Sequence, residues 1–418
     1  MTSSRVYVWT WLAGREEPVV AGAVDAADDG RLHFVYGRSY LERTDAVSLY
    51  EPELPLQRGG QPPPYGMELA GCLADGAPDA WGRRVILRRL LAGDAGNADT
   101  SALPEITYLL ESGTDRVGAN DFQASPETYV ARETRATLEE LLLASDRLQA
   151  GERYSEEIDW ALNAGSSAGG ARPKAHVTAA DGRALIAKFS TPTDTYPVVK
   201  GEAVALELAR RAGLTVAASE RTTVGDRDVL LVERFDRTPG RSRRHGLVSA
   251  LTLLSLSEMH ARYATYPDLA HTIRARFTHP RVALVELYSR MVFNVLIGNR
   301  DDHARNHAAF WNGRDLTLTP AFDLDPQPRD TGEASQAMAI TRAGDRRSRL
   351  ATCIDASADF LVSEAQAHDI VDRLVQTIRD EFDDAADMAG LTDLDRQLLW
   401  KRAFLHPYAF EGYGSTSP

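Results

Sequence analysis

Apolar and polar positions alternate through the opening of the chain and then change period. Val6 to Leu12, Pro18 to Val24 and Leu32 to Tyr36 are rich in β-branched and aromatic residues and are separated by Gly/Asp turns such as Asp28-Asp29-Gly30, a pattern that predicts short strands. A proline-rich loop from Gln61 to Tyr65 closes that block. Beyond it Trp81, Val85, Leu87, Leu90 and Leu91 fall at the spacing of one helix face, and Leu138 to Leu148 and Ile158 to Leu162 read as helices as well. No repeat of fixed period and no low-complexity tract is visible.

From Gly165 the pattern becomes more specific. Gly165-Ser166-Ser167-Ala168-Gly169-Gly170 reads as a flexible turn, followed by a strand through His176 and Val177, a tight reversal at Asp181-Gly182 and a return strand from Ala184 to Phe189. Strand alternation puts Leu185, Ala187 and Phe189 on one face and Ile186 and Lys188 on the other. A helix is expected over about Gly201 to Ala212, with Glu202 in its first turn and Gly213 as a left-handed terminator. Two strands then flank Gly225-Asp226, the second running from Val229 to Phe235.

The remainder reads as mostly helical. Leu284, Val285, Tyr288, Met291, Val292, Val295 and Leu296 form an apolar stripe that Gly298 ends. Ala308 to Trp311, the Asn312-Gly313 pair and Leu316 to Leu318 make the strongest hairpin signal in the chain. Ser363 and Gln366 form a capping box for a helix burying Ile370, Val371, Leu374, Ile378 and Phe382, and Gly412 to Pro418 reads as a loose tail.

Composition narrows the class. A chain of 418 residues exceeds what one core serves, so two or three packed units are expected. Hydrophobic content of 43% with 26% charged residues is that of a soluble globular protein. A net charge of −13 argues against a broad phosphate-binding surface for nucleic acid. Cys72 and Cys353 stand far apart, which favours neither a disulfide framework nor a thiolate zinc site. No basic-then-apolar leader and no run of about 18 apolar residues occurs, so neither a signal peptide nor a membrane span is expected and the cytoplasm is the expected compartment.

The chemistry lies in Asn299-Arg300-Asp301-Asp302-His303-Ala304-Arg305-Asn306, followed one hairpin later by Asp323. Phosphoryl transfer needs a carboxylate to orient the attacking hydroxyl and oxygen ligands for the nucleotide's metal, and D-x-x-x-x-N followed by a second aspartate supplies both. Asp301 is expected to act as base, and Asn306 and Asp323 to hold magnesium. His303 counts with the nucleotide-binding set as a residue positioning the loop through its ring nitrogens, since no second histidine follows at the spacing of a zinc pair. Asp302 reads as a solvated carboxylate, and Arg305 either offsets phosphoryl charge or makes a salt bridge.

Upstream, Gly169 and Gly170 let a strand–turn–strand lid present backbone N–H groups to phosphates, as in protein kinases; a P-loop would run into a helix instead. Lys188 suits the α- and β-phosphates, and Glu202 suits a lysine-holding ion pair or a first-turn acid favoured by the helix dipole. Val232, Glu233 and Phe235 occupy the segment that would join two lobes and meet an adenine edge, or else form a buried edge strand.

The run Gly165-Ser-Ser-Ala-Gly-Gly-Ala-Arg-Pro-Lys174, then Val232-Glu-Arg-Phe-Asp-Arg237, Gly298-Asn-Arg-Asp-Asp-His-Ala-Arg-Asn306 and Pro320-Ala-Phe-Asp323 resembles the HipA family of bacterial toxin serine/threonine kinases. Glu53-Leu-Pro-Leu56 and Pro78-Asp-Ala-Trp-Gly-Arg-Arg84 resemble that family's N-terminal region. The resemblance implies an α/β (α+β), two-lobed protein-kinase-like fold. Its parts are a β-rich N-terminal subdomain with helices over 1–150, an ATP-binding part over 151–240 and a helical catalytic lobe over 241–418. It implies ATP and Mg2+ as cofactors, Lys188 as the ATP lysine, Asp301 as base and Asn306 and Asp323 as magnesium ligands. Ser167, or its neighbour Ser166, matches a loop serine whose autophosphorylation silences family members, and a dianionic phosphate there would repel ATP. It also implies a small helix-turn-helix antitoxin as partner, with DNA reached only through it, and a protein substrate class that includes aminoacyl-tRNA synthetases. Arg305 stands where the family commonly has lysine, no glycine follows Phe322-Asp323, and Arg244 to Thr252 looks like a divergent branch. A small-molecule phosphotransferase and a catalytically silent regulator within an antitoxin–operator complex are the alternatives.

Overall fold

The computed structural model describes residues 4–91, 99–132, 136–150, 172–240, 242–330 and 332–414. The chain divides into two compact units. One comprises Met1–Phe189, Thr223–Val248 and Phe310–Arg314; the other comprises Ser190–Thr222, Ser249–Ala309 and Asp315–Pro418.

In the first unit the alternating N-terminal pattern forms a sheet of β1 (Arg5–Thr10), β2 (Val19–Ala26), β3 (Leu32–Tyr36), β4 (Gly60–Gln61) and β5 (Asn120–Gln123), in the order β4-β3-β2-β1-β5. Its pairings are antiparallel. Every second residue faces the core, so Val6, Val8, Val24 and Phe34 are buried. Helix α1 (Ala80–Leu91) buries Trp81, Val85, Ile86 and Leu87, whereas Leu90, expected on that face, points outward.

A second antiparallel sheet in the same unit has β7 (Ala184–Phe189) between β6 (Lys174–Thr178) and the strand Arg227–Glu233. Leu185, Ala187 and Phe189 are buried, and Ala187 and Phe189 pack with Leu141 and Leu142 of helix α2 (Leu138–Ala150), while Lys188 lies on the opposite face. The strand carrying Val232 and Glu233 stops at Glu233, so Phe235 lies just outside it. Ile158 to Leu162 and the glycine-rich turn, with Ser166, Ser167, Gly169 and Gly170, lie outside the described residues.

The second unit is built on helices α3 (Val198–Arg211), α4 (Tyr266–Arg276), α5 (Pro280–Leu296) and α6 (Glu364–Met388). Helix α3 starts three residues before the expected Gly201, because Val198 and Val199 extend its buried face and Pro197 is tolerated at its N-cap. Glu202 therefore sits in the second turn and is 5% exposed, so it is not a first-turn acid. Gly213 ends the helix with φ +81°. Helix α6 has the expected capping box between Ser363 and Gln366 and packs its apolar face, including Ile370, Leu374 and Ile378, toward α3 and α5. Helix α5 is buried almost all round from Leu287 to Leu296, with Val285 turned outward.

Candidate active site

Helix α5 delivers the chain to the site. Its last carbonyls are met by Ile297 N–H and Gly298 N–H, and Gly298 adopts φ +70°. A Cβ there would lie 2.9 Å from the main-chain oxygen of Ala403, so the turn demands glycine on both steric and conformational grounds.

Asn299 follows, 1% exposed. Its Nδ2 donates to Asn294 Oδ1 at 3.0 Å and to the main-chain oxygen of Asp323 at 3.3 Å, while its Oδ1 accepts from Asp301 N–H at 3.2 Å. One buried amide thus ties together the backbones that carry the two aspartates. Sequence reasoning did not single out Asn299; its place directly after the helix-ending glycine was the available signal.

Asp301 is exposed, and its carboxylate meets no hydrogen-bond partner among the described residues. Its main-chain oxygen accepts from His303 N–H at 2.8 Å and from Asn306 Nδ2 at 3.2 Å. Asn306 closes a 3₁₀ turn over Ala304–Asn306 and is 7% exposed. With its amide nitrogen committed to Asp301, its Oδ1 is the atom left for a ligand. His303 Nδ1 is sealed from solvent and meets no hydrogen-bond partner among the described residues.

Asp302 departs from the expected solvated carboxylate. It is 2% exposed and accepts from Tyr266 Oη, from Asn294 Nδ2 at 2.8 Å and from His307 Nε2 at 3.1 Å. A buried carboxylate persists only when donors satisfy its lone pairs. Adjacent aspartates thus split their roles: 302 anchors the loop to α4 and α5, and 301 faces outward. Tyr266, Asn294 and His307 also escaped the sequence reading, because residues spread over some 40 positions meet only through packing.

Asp323 occupies the left-handed region at φ +59° without being glycine. Such a conformation costs on the order of 1–3 kcal/mol and persists only where the surroundings impose it. They do. Ala321 N–H donates to Thr215 O at 2.8 Å and its oxygen accepts from Ala217 N–H at 2.9 Å. Arg290 of α5, 2% exposed, donates to Thr215 O at 3.1 Å and Thr319 O at 2.9 Å and pairs with Glu286 at 2.8 Å. Burial lowers the Arg290 pKa, and the Glu286 charge opposes that shift. Between the two aspartates runs the expected hairpin, Ala308–Trp311 and Leu316–Leu318, closed by Arg314 N–H on Asn312 Oδ1 at 2.9 Å.

Of the remaining candidates, Glu202 lies in the second unit on α3, and Lys188, Val232, Glu233 and Phe235 lie in the first. Lys188 pairs in register with Lys174, whose ammonium is buried on Asp79 at 3.1 Å. Val232 is buried opposite Ile186, and Phe235 packs edge-on to Phe310 at 5.8 Å.

The rest of the Val232–Arg237 motif has a structural task that the sequence did not disclose. Arg234, 4% exposed, pairs with Asp115 at 2.8 Å and Asp236 at 2.9 Å and donates to Arg116 O at 2.7 Å. Arg237 pairs with the same two aspartates, and Asp236 also accepts from Gly118 N–H at 2.8 Å. Arg116 in turn is fully buried on Asp121 at 2.6 Å. Burial pushes the Asp236 carboxyl up, but the Arg234 and Arg237 charges outweigh it and hold the group well below the usual carboxylate range. The cluster fastens this segment to the N-terminal sheet.

A model of the HipA-like C-terminal domain matches residues 166–382, just over half of the chain. The chain belongs to the HipA family. It is 29% identical over 147 residues to the serine/threonine-protein kinase toxin HipA of Shewanella oneidensis, covering 31% of this chain and 34% of that protein. It is 28% identical over 178 residues to the toxin YjjJ of Escherichia coli, covering 39% and 38%. The chain thus spans a little over a third of the length of the curated relatives it matches. The solved Shewanella oneidensis HipA, in its complex with HipB and operator DNA, superposes with a TM-score of 0.69 over 94% of both chains at 18% identity. At that identity the likeness establishes the fold: a mixed α/β, kinase-like HipA architecture. No helix among the described residues is long and apolar enough to cross a membrane.

Proposed function

We propose that this HipA-family chain is an ATP- and magnesium-dependent serine/threonine protein kinase and the toxin of a toxin–antitoxin module. The observation that carries the reading is the join made by Asn299, which holds the backbones of Asp301 and Asp323 together while the Asp301 carboxylate stays open. Asp301 takes the proton of a serine or threonine hydroxyl as the oxygen bonds to the γ-phosphorus and the bond to ADP breaks. Asn306 Oδ1 and the Asp323 carboxylate would hold the magnesium, a donor set of few protein oxygens that suits this ion. A magnesium ion held there would supply neutralisation of the charge that builds on the phosphates. The sealed His303 Nδ1, without a partner among the described residues, is consistent with a bound group beside this loop.

Lys188 is assigned to the nucleotide phosphates with Glu202 as its carboxylate partner, Gly169 and Gly170 to the lid, and Val232, Glu233 and Phe235 to the adenine. Ser167 or Ser166 is the site of autophosphorylation. The partner is a small helix-turn-helix antitoxin like the HipB seen with Shewanella HipA, through which DNA is reached, and the substrate is a protein, with aminoacyl-tRNA synthetases the class to try first. A metal hydrolase built on Asp301, Asp302 and His303 is disfavoured because Asp302 is already filled by Tyr266, Asn294 and His307.

Incubation with magnesium and γ-labelled ATP should place phosphate on Ser166 or Ser167, read by mass spectrometry. Asp301→Asn should abolish the label and Lys188→Met should raise the ATP requirement. Undiminished labelling in Asp301→Asn sinks the assignment of the base.

A further inference from the structure

Most exposed apolar side chains of the second unit are scattered, but two lie four residues apart beside the candidate active site. The 3₁₀ segment Glu258–Tyr263 leaves Met259 85% and Tyr263 57% exposed. Methionine and tyrosine are enriched in recognition surfaces because one adapts its shape and the other offers a large rigid face. The segment leans on the catalytic loop through an ion pair between Glu258 and Arg305, a residue of the turn that ends at Asn306.

Tyr263 is held for contact. Its ring lies under the Arg262 guanidinium at 4.9 Å and beside His260 at 6.0 Å, and its hydroxyl accepts from Arg262 at 3.0 Å. His260 is itself fixed by Ser257 Oγ at 2.7 Å. Glu258 is taken up by Arg305, and two further guanidinium groups belong to this surface. Arg262 meets only this phenol, and Arg346 meets only the carbonyl oxygens of Ala337 and Arg262, so neither guanidinium has a carboxylate among the described residues. In a chain of net charge −13, that is a local field suited to an acidic segment.

We propose that Glu258–Tyr263 is the docking ridge for the polypeptide that receives the phosphoryl group, taking an apolar side chain against Met259 and Tyr263 and an acidic residue against Arg262. This rests on the kinase reading and names the substrate feature that the reading lacks. The Glu258–Arg305 pair joins the ridge to the turn that ends at Asn306, so an extended segment on the ridge, at about 3.3 Å per residue, runs on toward the hydroxyl facing Asp301. The apolar and acidic positions therefore stand at a fixed, short offset from the acceptor.

The test is a positional-scanning serine peptide library phosphorylated with magnesium and ATP, with nucleotide affinity measured in parallel. Wild-type protein should select an apolar and an acidic position at fixed offsets. The double variant Met259→Ala/Tyr263→Ala should lose the apolar selection and raise KM for preferred peptides by about tenfold, the scale of a lost apolar pocket contact, with ATP affinity unchanged. Arg262→Glu should exchange the acidic preference for a basic one, which a merely structural arginine would not do. Unaltered selection in both variants overturns the proposal, as does a wild type that turns over ATP yet labels no peptide. A wild type that neither binds nor turns over ATP removes the kinase reading itself.

Discussion

Asn299 Nδ2 donates to the main-chain oxygen of Asp323 across 24 residues of chain, at 3.3 Å. The contact is to backbone, so it fixes where the second aspartate stands without occupying the carboxylate. With the bond from Asp301 N–H to the same side chain, Asn299 is a positioning residue for both.

Replacing Asn299 with alanine should therefore act on geometry first. Loss of a buried amide with three partners costs about 1–3 kcal/mol, and a loop displaced by about 1 Å lowers turnover on the order of 100-fold. Steady-state kinetics should show the fall mainly in kcat. An unchanged kcat would mean that the two backbones are held by other contacts.

The neighbouring aspartates give a paired expectation. Asp302→Ala leaves the donors of Tyr266, Asn294 and His307 without an acceptor and should lower the unfolding free energy by about 3 kcal/mol or more. Asp301→Asn, at an exposed carboxylate, should stay within about 0.5 kcal/mol of wild type while removing phosphoryl transfer. Denaturant melts of the two proteins separate the anchor from the carboxylate proposed as base; equal destabilisation would contradict the division.

Gly298→Ala should lose both stability and activity. The side chain meets the Ala403 carbonyl and the backbone sits at φ +70°, a combination worth about 1–3 kcal/mol. Because Asn299 is the next residue, activity should fall further than stability alone explains, measured at a temperature where the variant remains folded.

Stability should depend on pH through Glu53, which is 8% exposed and accepts from Cys72 N–H at 2.8 Å. Burial is the main cause that raises its carboxyl from 4.5 to about 7. The folded chain binds this proton more tightly than the unfolded one, so the contribution is full below about pH 4.5 and is lost as pH rises through 7. The whole effect is about 3 kcal/mol. Asp236 has the opposite sign: its folded pKa is depressed, so its contribution is present above the unfolded value and vanishes as acid protonates it. Urea unfolding at a series of pH values should show the decline between pH 4.5 and 7, and Glu53→Gln should flatten it.

Local periodicity made much of the framework legible. The third strand, Leu32 to Tyr36, the return strand Ala184 to Phe189 and the hairpin around Asn312-Gly313 stand where the sequence predicts them, because alternation and turn chemistry act within a few residues. Helix α3 escaped at its start, since only the burial of Val198 and Val199 makes the extra turn worthwhile. Leu90 was placed on the wrong face of α1 because a stripe of five apolar residues is wider than the contact that uses it.

What the sequence by itself determined is the chemistry on offer: a carboxylate and an amide five positions apart, a further aspartate after one ribbon, and the turns that bound them. Those depend on residue type and spacing, which the chain states directly. The tertiary structure alone decided which of the adjacent aspartates is sealed by Tyr266, Asn294 and His307 and which is left open, that Asn299 binds the two halves of the site, and that Arg234, Asp236 and Arg237 serve as an internal clasp. The reason is that burial and hydrogen-bond partnership are properties of what lies opposite a side chain, and its partners here come from segments far away in sequence.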